Sequence, residues 1–125
     1  MTYIVQKFGG TSVADIDCIQ NVAQRVKDEV NAGHKVAVVV SAMAGETNKL
    51  VEWANQTGDH QLCQEYDVIV SSGEQVTSGL LALNLQRIGV EARSWMGWQI
   101  PIFTDNIHGK ARIEAIEAKA FKTSL

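Results

Sequence analysis

The stretch that decides the fold is Lys7–Val13, KFGGTSV, which follows a short apolar run and leads into a long amphipathic segment. The adjacent glycines Gly9 and Gly10 lack Cβ atoms, so backbone N–H groups beside them can close on an anion. A helix that begins just beyond adds the positive end of its dipole, and Lys7 adds a full positive charge. These features are those of a phosphate-binding loop between a strand and a helix.

The order of residues in this loop separates it from two common nucleotide-binding motifs. A Walker A loop has its lysine after the glycines, and the dinucleotide fingerprint is Gly-x-Gly-x-x-Gly. A glycine pair can also form no more than a tight strand-to-helix turn, with Lys7 solvated. On this loop alone, both the phosphate-binding and the simple-turn interpretations stay open.

The residues after the loop predict a βαβ unit. Apolar residues recur every three or four positions from Ile16 to Val30, which indicates a helix, with Ser12 and Asp15 as its capping box and Gly33 as its stop. Residues 35–40, KVAVVV, are typical of a parallel strand that is covered on both faces. Loops at the carboxyl ends of such strands form the functional edge of an α/β sheet.

The rest of the chain predicts further helices and short strands. The expected elements, in order, are a loop at 41–48, a helix from Leu50, a helix at 61–70, an interruption at 71–74, a helix to Ile88, strands at 90–95 and 100–103, and a helix at 118–121. We find no internal repeat or low-complexity segment in this sequence.

Composition narrows the class of protein. The 125 residues are 46% hydrophobic and carry a net charge of -3, which is ordinary for one soluble domain and argues against nucleic acid as a partner. No apolar run approaches the roughly 20 residues of a membrane span. Cys18 and Cys63 are far apart, so we expect buried thiols of a cytosolic protein instead of a disulfide or metal site. His34, His60 and His108 are interpreted as surface or loop residues and not as ligands.

Four motifs in one order identify a family resemblance. They are KFGGTSV at 7–13, SAM at 41–43 with Thr47 beyond it, SGE at 72–74 and HGKARI at 108–113. Together they resemble the aspartate kinases, and the resemblance extends over essentially the whole chain. Four motifs in register are far more specific than any one of them.

The resemblance implies both a fold and a reaction. The fold would be the α/β, three-layer αβα sandwich of the amino-acid kinase family, with a mainly parallel sheet, of which residues 1–125 form an incomplete N-terminal portion. The reaction would transfer the γ-phosphoryl of ATP to the β-carboxylate of L-aspartate, the first step toward lysine, threonine and methionine. Mg²⁺ would be held mainly through the ATP phosphates, and the enzyme would be a cytoplasmic homo-oligomer or hetero-oligomer.

The same resemblance implies roles for individual residues. The catalytic residue would be Lys7, the nucleotide site would comprise Lys7, Phe8, Gly9, Gly10, Thr11 and Ser12, and the substrate site would comprise Ser41, Thr47 and Glu74. Each substrate residue has a structural alternative: a strand-end hydroxyl for Ser41, a helix cap for Thr47 and a helix-dipole partner for Glu74.

Residues 1–125 lack part of the family's pattern. The family's Gly-Arg-Gly-Gly-Ser-Asp segment and its regulatory ACT domains are not found in this sequence. We therefore expect residues 1–125 alone to have no useful kinase activity and to fold only partly. The alternatives are another amino-acid kinase acting on glutamate, carbamate or a nucleoside monophosphate, a bifunctional aspartate kinase–homoserine dehydrogenase, and a noncatalytic assembly module.

Overall fold

The described residues form a strand–helix–strand unit, then a run of helices, then two short strands and a final short helix. The computed structural model describes residues 2–59 and 63–125. Its elements are β1 (Tyr3–Phe8), a 3₁₀ helix (Gly10–Val13), α1 (Ile16–Asn31), β2 (Lys35–Val40), α2 (Glu46–Gln56), α3 (Gln64–Val70), α4 (Ser72–Arg87), β3 (Ile102–Thr104), β4 (Ile113–Ile116) and α5 (Lys119–Ser124). Within these residues no helix is both long enough and apolar enough to cross a membrane.

The predicted βαβ unit is present. Strands β1 and β2 pair in parallel, in a register that runs from Tyr3 opposite Lys35 to Phe8 opposite Val40. Helix α1 joins them and ends before Gly33, whose φ of 89° is in the left-handed region that glycine adopts without strain. Both loops that follow these strands therefore leave the same edge of the sheet.

The predicted capping box at the start of α1 is wrong. Asp15 itself is the N-cap, and its Oδ1 accepts a hydrogen bond from the Cys18 N–H at 2.8 Å. Ser12 lies earlier, inside the 3₁₀ helix, where its own N–H donates to the Gly9 carbonyl at 3.0 Å. The extra 3₁₀ turn between strand and helix moves Ser12 away from the cap position.

The core lies on one face of the β1–β2 sheet. Its buried residues come from the 3₁₀ helix, α1, α4 and the segment after α4: Val13, Ile19, Val22, Ala23, Val26, Leu81, Leu85 and Val90. On the opposite face, Tyr3, Val5 and Val39 are 64%, 72% and 52% exposed. The expectation that β2 is covered on both faces is therefore wrong for the described part of the chain, where helices cover one face.

The strand expected at 90–95 is absent. Val90 is buried in the core, and the Ala92 carbonyl accepts a hydrogen bond from Gln86 Nε2 at 2.9 Å. Arg93 stacks on Trp95 with 4.1 Å between the guanidinium carbon and the ring centroid. The alternation of apolar residues thus reflects packing against α4 and α5, because Trp95 also contacts Phe121 edge to face at 5.8 Å.

The end of the chain forms a hairpin and a short helix. Strands β3 and β4 pair antiparallel with an irregularity between Phe103 and Thr104. The strand expected at 100–103 begins after Pro101 and ends at Thr104. Helix α5 confirms the helix expected near residue 118.

The middle of the chain also follows the prediction in outline. Helix α3 begins at Gln64, α4 begins at Ser72, and the interruption between them is Ser71 alone. The expected start of the earlier helix at 61, together with His60, lies outside the described residues.

Candidate functional site

The loop after β1 leads into a 3₁₀ helix through its two glycines. Gly9 is the N-cap of the 3₁₀ helix, with extended backbone at φ -76° and ψ 174°. A Cβ at Gly10 would lie 3.3 Å from the Ala42 carbonyl oxygen, which is tighter than an ordinary contact. Gly10 thus lets the β1 loop approach the β2 loop closely, while the first N–H groups of the 3₁₀ helix have no partner within that helix.

The loop after β2 continues the pairing of the two strands. The Ser41 N–H donates to the Phe8 carbonyl at 3.1 Å, so the two loops leave the sheet side by side. Gly45, with φ of 80°, is the N-cap of α2, and Thr47 lies in the first turn of that helix. The alternative that Thr47 is a helix cap is therefore wrong, because the turn at Gly45 starts α2 two residues earlier.

The start of α4 packs against Ala42, in the loop after β2. Gly73 is buried, and a Cβ there would lie 2.9 Å from Ala42 Cβ and 3.5 Å from Leu50 Cδ1. Ala42 itself is 5% exposed, with Gly10 against its carbonyl and Gly73 against its side chain. Glu74 follows Gly73 in the first turn of α4 and is exposed.

Three of the four sequence motifs therefore meet at Ala42. The glycine loop reaches it through Gly10, the β2 loop contains it, and the Ser-Gly-Glu motif reaches it through Gly73. The fourth motif, at 108–113, lies against α3 instead, where His108 Nδ1 is 2.8 Å from Asp67 Oδ2. Asp67 was not predicted, because no local pattern relates residues so far apart in sequence.

The charged members of the site have no internal partner in the described part of the chain. The ion pairs found among residues 2–59 and 63–125 are His34–Glu29, Lys49–Glu46 and His108–Asp67. Lys7 and Glu74 belong to none of them, and both are exposed. A cation at the end of β1 and a carboxylate at the start of α4 are therefore available to a ligand.

Two depressions border this region. One, of about 210 Å³, lies between the first turns of α2 and α4 and is lined by Met43, Glu46, Lys49, Leu50, Trp53, Ser72, Gly73 and Val76. Thr47 and Glu74 are neighbours of its lining residues in sequence but do not line it. The other, an open depression of about 370 Å³, is lined by Lys7, Gln6, Phe8, Arg25, Asp28 and Glu29.

The loop chemistry fits a phosphate group. Glycine N–H groups at the start of a helical turn form anion-binding sites in proteins, and the positive charge of Lys7, which has no ion-pair partner among the described residues, adds to the attraction. Among the described residues, no group of three or more histidine, cysteine, aspartate or glutamate side chains is arranged to hold a metal ion.

Comparison with known proteins finds a family model and relatives that match nearly the whole chain. The model of the Amino acid kinase family matches residues 2–125. An aspartokinase of Rickettsia felis is 52% identical over 119 residues, which are 93% of this chain and 30% of that protein. An aspartate kinase of Pseudomonas putida is 50% identical over 125 residues, covering all of this chain and 30% of that protein.

A solved structure agrees with the sequence relatives. The crystal structure of aspartate kinase from Synechocystis superposes with a TM-score of 0.66 at 49% identity, over 68% of this chain and 15% of that chain. This chain spans about 30% of the length of the curated relatives it matches. With the family model matching nearly every residue, the chain belongs to the amino acid kinase family.

Proposed function

We propose that the protein containing this chain is an aspartate kinase, which transfers the γ-phosphoryl of ATP to the β-carboxylate of L-aspartate and yields 4-phospho-L-aspartate and ADP. The observation that carries the proposal is the meeting of three motif segments at Ala42, with Gly10 and Gly73 both packed against it. About 50% identity to proteins named aspartate kinase supports the choice of acceptor. Residues 1–125 would then be the N-terminal portion of the catalytic domain.

The β1 loop would bind the nucleotide phosphates. Phosphoryl transfer depends on positioning and on neutralising charge, and backbone N–H groups with a lysine provide both. We assign this role to Lys7, Phe8, Gly9, Gly10, Thr11 and Ser12. Lys7 is the catalytic residue in this proposal, because its ammonium group has no ion-pair partner among the described residues and can neutralise the charge that develops on the transferring phosphoryl.

The β2 loop and the start of α4 would bind the amino acid. L-Aspartate carries an ammonium group that needs an anionic partner, and Glu74 is an exposed carboxylate without an internal partner in the described residues. Thr47 would contact the same substrate, and Ser41 would lie near the transferring group. The accepting carboxylate has a pKa of about 4 and is ionised at neutral pH, so no general base is required.

Mg²⁺ would neutralise phosphate charge on ATP and would be held mainly by the phosphates themselves. The cellular setting follows from the same proposal. The product would enter the synthesis of lysine, threonine and methionine in the cytoplasm, and the enzyme would act as a homo-oligomer or hetero-oligomer.

The test is acceptor-dependent phosphoryl transfer by the gene product that contains residues 1–125. The protein is incubated with ATP, Mg²⁺ and hydroxylamine, which traps an acyl phosphate as a coloured hydroxamate, and ADP is measured in parallel. We expect hydroxamate with L-aspartate and background with glutamate, carbamate or uridine monophosphate. Turnover of glutamate, carbamate or uridine monophosphate, but not of L-aspartate, would mean that the proposed acceptor is wrong. No turnover of any of the four acceptors would support a noncatalytic role.

A further inference from the structure

Asp67 on α3 holds a loop that is distant in sequence. Its Oδ2 lies 2.8 Å from His108 Nδ1, and its Oδ1 accepts a hydrogen bond from the Gly109 N–H at 3.0 Å. Both carboxylate oxygens are thus directed at adjacent residues of the turn between β3 and β4. Two hydrogen bonds accepted by one carboxylate fix the orientation of that turn as well as its distance from α3.

The backbone carbonyl of Asp67 makes a second contact, with the residue that follows α3. The Ser71 N–H donates to the Asp67 carbonyl at 3.0 Å and closes the last turn of α3. Ser71 is also the residue at which α3 gives way to α4. One residue therefore contacts both the β3–β4 turn and the junction between the two helices.

That junction determines where α4 begins. Gly73, two residues after Ser71, is packed so closely on Ala42 that an added Cβ would lie 2.9 Å from the alanine side chain. A shift of the α3–α4 junction would move Gly73 against or away from Ala42, since packed contacts of this kind do not deform continuously. Glu74 is the next residue and would move with it.

We infer that Asp67 is a positioning residue: by binding the turn at His108 and Gly109, its carboxylate fixes the start of α4 and hence the orientation of Glu74 toward the amino-acid substrate. The statement about substrate rests on the proposed function, whereas the statement about the start of α4 does not. Asp67 itself touches neither the β1 loop nor Ala42 in the contacts described above, so its action is indirect.

The test compares three substitutions in the gene product that contains residues 1–125. Asp67→Ala removes both hydrogen bonds. Asp67→Asn can retain both, because its Oδ1 can accept from the Gly109 N–H while its Nδ2 donates to His108 Nδ1 in the other histidine tautomer. Glu65→Ala is the matched control, because Glu65 is an exposed carboxylate on the same helix.

Two measurements separate positioning from general stability. The first is steady-state kinetics with aspartate and ATP varied in turn. For Asp67→Ala we expect the KM for aspartate to rise about tenfold, the size of effect given by one charge-assisted hydrogen bond. We expect the KM for ATP to stay within about twofold, Asp67→Asn to recover most of the loss, and Glu65→Ala to match the parent protein.

The second measurement is hydrogen exchange of the amides from Ser71 to Val76, which needs no activity. Faster exchange in Asp67→Ala, but not in Asp67→Asn, supports the positioning role. Unchanged exchange in Asp67→Ala overturns it, as does an equal rise of both KM values. If Asp67→Ala fails to fold, His108→Ala, which removes one of the two contacts, is measured in the same way and decides by the same criteria.

The outcomes also separate this inference from the proposed function. A parent protein without aspartate-dependent turnover overturns the proposed function, and hydrogen exchange then still decides whether Asp67 fixes the start of α4. A parent protein that phosphorylates aspartate, with an Asp67→Ala variant whose aspartate KM is unchanged, supports the function and overturns the inference.

Discussion

At the scale of single residues, two glycines of α4 differ in the atoms that an added side chain would contact. Gly73 in α4 faces Ala42 and Leu50, whereas Gly79, further along the same helix, has nothing within 4 Å of an added Cβ. The two positions therefore separate the intrinsic benefit of alanine in a helix from the effect of crowding.

Alanine at these two positions should have opposite effects. Gly79→Ala should raise the free energy of unfolding by about 0.5–1 kcal/mol, the intrinsic helix preference. Gly73→Ala should lower it by about 1 kcal/mol, because overpacking of about 1–3 kcal/mol outweighs that preference. Urea unfolding of both variants and the parent protein measures the difference. Equal stabilisation by both would contradict the packing of Gly73 on Ala42.

A second prediction at this scale concerns pH. The hydrogen bond from the Cys18 N–H to Asp15 lowers the pKa of the Asp15 carboxyl below its ordinary value. A lowered pKa stabilises the folded protein above the unfolded-state pKa, and this stabilisation is lost as pH falls through the folded-state pKa. Asp15→Ala should therefore be less stable than the parent protein at about pH 7, with a smaller gap at about pH 3.

The check is urea unfolding of Asp15→Ala and the parent protein at both pH values. Asp15→Asn is the control, because asparagine is also a good N-cap but does not titrate. A gap between Asp15→Ala and the parent protein that stays constant between the two pH values would contradict the assignment of Asp15 as a charged cap.

At the scale of elements, one side chain links the two longest helices. Lys27 on α1 is partly buried and its Nζ donates to the Ile88 carbonyl at 2.8 Å, at the end of α4. A cation is favourable at a helix C-terminus, and a buried carbonyl without a donor is costly.

Lys27→Met should lower the free energy of unfolding by about 1–2 kcal/mol, because it keeps the aliphatic stem but removes the donor to Ile88. The matched control is Arg25→Met, an exposed position on the same helix, which should change stability by less than about 0.5 kcal/mol. Equal effects of the two substitutions in urea unfolding would mean that the Lys27–Ile88 contact does not stabilise the α1–α4 pair.

Elements with a strong local signal were predictable from the sequence. The apolar period of α1, the β-branched run of β2 and the glycine stops at Gly33 and Gly89 all agree with the structure, because each depends on residues close together in the chain. The strand expected at 90–95 was wrong, because its alternation comes from packing on the core and on α5, which local sequence does not reveal.

The same distinction holds for the candidate site. The motif residues could be selected from the sequence, but their meeting at Ala42 depends on tertiary packing of Gly10 and Gly73. Asp67 was missed because its partners are 41 and 42 positions away.

At the scale of the whole molecule, one face of the sheet is left uncovered by the described residues. Tyr3, Val5 and Val39 are 64%, 72% and 52% exposed on neighbouring strands. Exposed apolar side chains on a sheet with open edges favour association with another surface.

Residues 1–125 produced alone should therefore self-associate. Size-exclusion chromatography over a range of concentrations should show a mass that rises with concentration, and the double substitution Val5→Thr with Val39→Thr should reduce the effect while keeping strand preference. Val68→Thr, at a position on α3 that is 64% exposed, is the control and should leave association unchanged. A monomer at every concentration would show that the exposed face does not drive association.

The most direct test of the central claim is the role of Lys7 in phosphoryl transfer to aspartate. Aspartate-dependent acyl phosphate formation is compared between the parent gene product and its Lys7→Ala variant, with the folding of both checked by thermal unfolding. If Lys7 neutralises charge on the transferring phosphoryl, kcat should fall by about a hundredfold or more while the KM for aspartate changes little. An unchanged kcat would mean that Lys7 is a solvated residue of a simple turn, and would contradict the assignment of the β1 loop as the phosphate site.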